Sequence, residues 1–143
     1  MSERAAASDI AQLSNAEIEE AVRKIVAESL GRKPDEVELG SVLMAELGAE
    51  SLDFLDIVFR LERDFKIEIT RGEMERASRG DMSAEEFAPS GVISEAGLVR
   101  LRELMPEAAD RIKPGLRPST ILTLFSVQTF ANMVIGKRDG RSV

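Results

Sequence analysis

The sequence predicts an all-α fold, and three observations carry that expectation. Apolar residues recur at helical spacing in several separate stretches, serine-led capping signatures stand at the head of these stretches, and glycine or proline closes them. With 143 residues, 43% of them hydrophobic and 31% charged, the chain suffices for one compact domain with a real core, and not for two full-sized ones.

Residues 1–13 are small and polar, with Ile10 and Leu13 as their apolar anchors, and are expected to form a flexible tail. The fold begins at Ser14, where Ser14-Asn15-Ala16-Glu17 has capping-box form. Ile18, Val22, Ile25, Val26 and Leu30 follow at helical spacing until Gly31 supplies a stop, which defines the first helix. Pro34 to Leu47 reads as a long connection anchored by Val37, Leu39, Val42, Leu43 and Leu47, with Gly48 as punctuation.

The second helix is expected from Ser51 to Phe65. Phe54, Leu55, Val58, Leu61 and Phe65 fall on one broad apolar arc, whereas Asp53, Asp56, Arg60, Arg63 and Asp64 fall on the opposite stripe. Leu52 and Phe59 sit at the edge of the arc, where a side chain serves either the core or a partner. Glu62 falls inside the arc, an inconsistency that snorkelling near the helix end would relieve. The charged stripe is compatible with a plain solvated face and with a docking surface.

The 59 residues from Ile67 to Phe125 are not low-complexity filler. Gly72 to Arg79 reads as one helical turn or more, Ser83-Ala84-Glu85-Glu86 again has capping-box form, and Ser94, Leu98, Leu101, Leu104 and Met105 outline an amphipathic helix ending at Pro106. Pro114-Gly115 and Pro118 then break the chain before Ile121, Leu122 and Leu124. One or two extra helices packed on the bundle are expected here.

Composition narrows the chemistry. A net charge of −7 argues against nucleic acid, which is bound through clustered Lys and Arg, and favours basic partner surfaces. Cysteine and histidine are both absent, which removes a thiolate nucleophile, the usual general base and the commonest soft-metal ligands. There is no apolar run long enough to span a bilayer and no apolar signal core at the N-terminus, so the chain reads as soluble and cytoplasmic.

Within these limits the most informative feature is Gly48-Ala49-Glu50-Ser51-Leu52-Asp53, a serine between two carboxylates at a helix start. A serine-hydrolase elbow would need a base and glycines two positions either side of the serine, where Ala49 and Asp53 stand instead. Ser51 is left as a helix N-cap, as a substrate for modification by another enzyme, or as both.

This motif, preceded by a helix and a long loop and followed by an acidic helix, resembles the phosphopantetheine attachment motif of acyl carrier proteins. The resemblance runs from Ile18 to Ile69 and resumes at Phe125 to Gly136, where Val127-Gln128-Thr129-Phe130-Ala131 is similar to the family's last helix. It implies an acyl-carrier-like four-helix bundle over residues 14–136, with a helical insertion at about 71–124 between the second and last helices, and a second flexible tail at 137–143. It further implies a non-enzymatic carrier whose Ser51 bears 4'-phosphopantetheine, on which acyl groups are held as thioesters. Glu50, Asp53, Asp56 and Glu62 would be acidic docking contacts, and Leu52 and Phe59 apolar ones. The partners would be a phosphopantetheinyl transferase and acyl-chain synthases and acyltransferases with basic patches.

Two departures from the family pattern stand out: Glu50 replaces the usual Asp before the serine, and Arg60 and Arg63 interrupt the acidic face. The run Ser51 to Phe59 and the segment Gly80 to Phe87 are also similar to specialised carriers of very-long-chain hydroxylated fatty acids for lipid A. The remaining readings are a polyketide or peptidyl carrier, and a carrier-like regulatory module with unmodified Ser51.

Overall fold

The computed structural model describes residues 10–140, less the side chains of residues 71, 75, 77 and 78. In chain order the α-helices are α1 (Asn15–Ser29), α2 (Leu43–Leu47), α3 (Ser51–Phe65), α4 (Arg71–Arg79), α5 (Ala84–Phe87), α6 (Glu95–Leu104) and α7 (Val127–Arg138). Short 3-10 segments lie at Ile10–Gln12, Pro34–Glu36, Pro106–Arg111 and Pro118–Leu124. The fold is all-α, and its one β-type pairing among the described residues is an isolated antiparallel bridge between Val42 and Ser126.

The capping chemistry read from the sequence is in place. Ser14 Oγ accepts from the Glu17 amide at 3.1 Å while the Glu17 carboxylate accepts from the Ser14 amide at 2.8 Å, satisfying two amides that the first turn of α1 leaves without intrahelical partners. Thr70 with Glu73, and Ser83 with Glu86, repeat the same box at α4 and α5. Gly31 and Gly48, at φ of 69° and 72°, take the left-handed conformation that closes α1 and α2.

The core forms where α1, α3 and α7 meet. Ile18, Val22, Ile25 and Val26 of α1 and Phe54, Ile57, Leu61 and Phe65 of α3 are buried against α7. α7 itself buries Val127, Phe130, Ala131, Met133, Val134 and Ile135, so it is apolar nearly all round, as a central helix must be. Phe54, Phe125 and Phe130 make a triangle with ring centroids 5.7 to 6.1 Å apart. Tilted and edge-on pairs of this kind add stabilisation to the area they bury.

Several details differ from the sequence expectation. The connection from Pro34 to Leu47 contains α2, a five-residue helix without a side-chain cap. Such a helix is too short to form by propensity, and it is held by tertiary contacts: the Leu43 amide donates to the Phe125 carbonyl at 2.9 Å. Between Ile67 and Phe125 the chain forms α4, α5, α6 and two 3-10 segments rather than one or two helices. Pro106 and Pro118 each open a 3-10 segment at a position where a missing amide donor costs nothing. Phe87, Ile93, Leu98, Leu101, Met105, Ile112 and Ile121 from this span are buried in the same core as α1, α3 and α7.

At the ends, residues 1–9 and 141–143 of the two expected tails lie outside the described residues. Leu13 packs on the core, and α7 runs through residues 137 and 138. Lys137 is ion-paired with the buried Glu73 of α4, and Arg138 donates to the Leu13 carbonyl at 2.9 Å. Both interactions require a cation at the end of α7, where the helix dipole also favours one.

Candidate functional site

The chain enters α3 through Gly48, whose positive φ turns the backbone, and then through extended Glu50, which holds the N-cap position. The Asp53 carboxylate reaches back to accept from the Glu50 amide at 2.7 Å. Ser51 is thus the first residue inside the helix and not its cap, which corrects the capping role open to it in the sequence. Its side chain is exposed, and among the described residues no hydrogen bond engages its hydroxyl.

Beside Ser51 lies an open groove of about 470 Å³. α3 contributes Ser51, Phe54 and Val58, the following turn and α4 contribute Ile69 and Met74, and the 3-10 segment before α7 contributes Ile121. The lining is apolar apart from Ser51, so the hydroxyl stands at the lip of a surface that water wets poorly.

The outer face of α3 carries large apolar side chains in solvent: Leu52 is 76% exposed, Phe59 64% and Leu55 55%. Leu55 is a second correction, since its place on the apolar arc put it in the core. Ile57 is fully buried instead, so the packed stripe is rotated away from Leu55 and toward α1.

The carboxylates of this face are not equivalent. Glu50 is exposed, and Asp53 is half-buried and tied to the helix start. Asp56 accepts from the Ser29 hydroxyl of α1 at 2.6 Å and from Arg60 at 2.7 Å. These two hydrogen bonds, the serine's first, hold its carboxyl below the ordinary aspartate range. Arg60 also pairs with Glu28 of α1 at 3.1 Å, so the cation that interrupts the acidic face lies between two carboxylates. Glu28 therefore joins this face from another helix, which no pattern local to α3 could reveal. Glu62 does not snorkel. Its carboxylate accepts from the Ile69 amide at 2.8 Å and fastens the turn after α3, which is why an acid stands within the apolar arc.

Across the groove, Glu73 sits one residue from Met74 and accepts from the Thr70 amide at 2.9 Å as well as from Lys137. Burial alone would raise its pKa. The hydrogen bonds from Lys137 and Thr70 outweigh burial and bring it below the ordinary glutamate value. The α4 side of the groove is thereby anchored to α7.

Residues 20–84 match the family model of the phosphopantetheine attachment site. No solved structure matches the chain. The match makes this region similar to phosphopantetheine carrier domains, whose cofactor is 4'-phosphopantetheine, and domains of this kind carry acyl groups and are not themselves catalysts. Among the described residues no helix is long and apolar enough to cross a membrane.

Proposed function

We propose that this chain carries acyl intermediates as thioesters on a 4'-phosphopantetheine arm attached at Ser51, in fatty acid or specialised lipid biosynthesis in the cytoplasm. One observation carries the choice of residue. Of the described serine side chains within the matched region, Ser29 donates to Asp56, Ser41 accepts from the Glu38 amide and Ser83 caps α5, whereas the Ser51 hydroxyl is exposed and unengaged. A phosphodiester at that position would also stand at the positive end of a 15-residue helix, where an anion is favoured.

The exposed stripe of Leu52 and Phe59, with Glu50 and Asp53 at its head, supports α3 as the docking face for the transferase, the synthases and the acyltransferases. Exposed charge gives fast encounter with basic surfaces and little residence time, which suits a carrier that must leave each enzyme. Asp56 and Glu62 contribute charge to this face while serving the fold. The cargo favoured by the resemblance is a long hydroxylated fatty acyl chain of the lipid A type. The regulatory-module reading, in which Ser51 merely caps α3, loses its structural basis because Glu50 holds the cap position.

Intact-mass measurement after incubation with coenzyme A, magnesium and a phosphopantetheinyl transferase tests the proposal. The wild-type mass is expected to rise by one phosphopantetheine and that of Ser51→Ala to stay unchanged. Equal gain in both proteins, or none in the wild type, defeats it.

A further inference from the structure

Resting on the carrier reading above, with α3 as its docking face, we propose that Arg63 selects the acyl-loading enzyme. An enzyme that sets a carboxylate against the foot of α3 is accepted, and one whose docking patch is basic along its whole length is disfavoured. Leu52, Phe59 and Arg63 follow one another seven and then four residues apart, so at 3.6 residues per turn they fall within about 40° of one another around α3. Leu52 and Phe59 stand in solvent, and so does the Arg63 side chain, 66% exposed. The three form one stripe that begins beside Ser51 and ends on a cation about 18 Å further along the helix.

The two arginines of α3 are not alike. Arg60 is only 27% exposed and lies between Asp56 and Glu28, so its charge is answered within the molecule. Arg63 donates from Nε to the carboxylate of its neighbour Asp64 at 2.9 Å, and among the described residues no hydrogen bond engages its two Nη nitrogens. A surface pair of this kind contributes little. The outer edge of the guanidinium keeps donors whose spacing matches a carboxylate.

Charge decides the kind of partner. Glu50 and Asp53 favour a basic surface at the head of α3, whereas a basic side chain set against Arg63 would be repelled. The complement of the face is therefore basic at the head, apolar along the middle and acidic at the foot. Attraction of that surface combined with repulsion of a uniformly basic one is how an interface discriminates. A cation in the last turn also suits the helix dipole, a role indifferent to what a partner presents.

The test uses the full chain. The arm is loaded and checked by intact mass, the protein is added to an extract of its source cells with ATP and a mixture of fatty acids, and the initial rate of acylation is read by intact mass. Arg63→Gln is expected to slow acylation about threefold and Arg63→Glu about tenfold, with the difference shrinking in high salt. Arg63→Lys should recover most of the rate. Lys113→Glu makes the same charge change at an exposed position tied to α6 through its neighbour Ile112, and should leave the rate unchanged. Circular dichroism confirms that the variants fold. A wild-type rate in Arg63→Glu, or equal slowing by Lys113→Glu, overturns the inference and leaves the carrier reading standing. Failure of the wild type to take the arm overturns both.

Discussion

α3 and α7 pack against the same phenylalanine triangle, yet they treat their apolar side chains in opposite ways. α7 buries nearly all of them, whereas α3 buries one stripe and leaves Leu52, Leu55 and Phe59 in solvent. Burial of a side chain of this size is worth about 1.5–3 kcal/mol, so α3 forgoes stabilisation that α7 collects. The difference separates two jobs. α7 closes the core, and α3 keeps an apolar stripe uncovered beside Ser51.

The comparison is broken most directly by exchanging the damage. Phe130→Ala is expected to cost about 3–5 kcal/mol in urea unfolding, from lost transfer energy and the cavity left behind. Phe59→Ala should stay within about 0.5 kcal/mol and instead slow acyl transfer by partner enzymes. Equal destabilisation by the two would mean that the outer face of α3 is core after all.

A smaller effect sharpens the role of α7 as the anchor of the α4 wall. Glu73→Gln should cost about 1–3 kcal/mol by leaving Lys137 without its carboxylate. The sign with pH follows from the lowered pKa of Glu73: its contribution is complete above the unfolded value of about 4.3 and is lost as pH falls through the lower folded value. Thermal melts from pH 6 down to pH 3 should therefore show the gap between wild type and Glu73→Gln narrowing at the acid end. A gap that widens there contradicts the assignment.

The smallest effects concern the start of α3. Asp53→Ala removes the carboxylate that holds the Glu50 amide and is expected to cost about 1 kcal/mol. Ser51→Ala should cost less than about 0.5 kcal/mol, because no hydrogen bond is lost and alanine is the better helix former. A full kilocalorie lost at Ser51 would return the capping role to it.

Much of the frame was legible along the chain. The limits of α3, the capping boxes at Ser14 and Ser83, the start of α6 after Ser94 and the stop at Gly31 are all local patterns, and the structure contains each of them. Ser51 was legible as the start of α3, although its neighbour Glu50 takes the cap position. α2 was not legible, since five residues without a cap carry no signal, and the 3-10 segments were visible only as proline breaks. Glu62 looked like a misfit because its partner, the Ile69 amide, lies across a turn that helical periodicity does not describe.

Spacing and caps specify helices because they act within one or two turns, where neighbours in sequence are neighbours in space. Whether Leu55 is buried, whether Arg60 reads as a free cation or a neutralised one, and what faces Ser51 depend on elements far away in the chain. Glu28 on α1 and Ile121 before α7 reach this site because burying α7 draws both segments inward, and a one-dimensional pattern holds no record of that closure. The motif around Ser51 is thus written in six consecutive residues, and the groove beside it exists only once the core has formed.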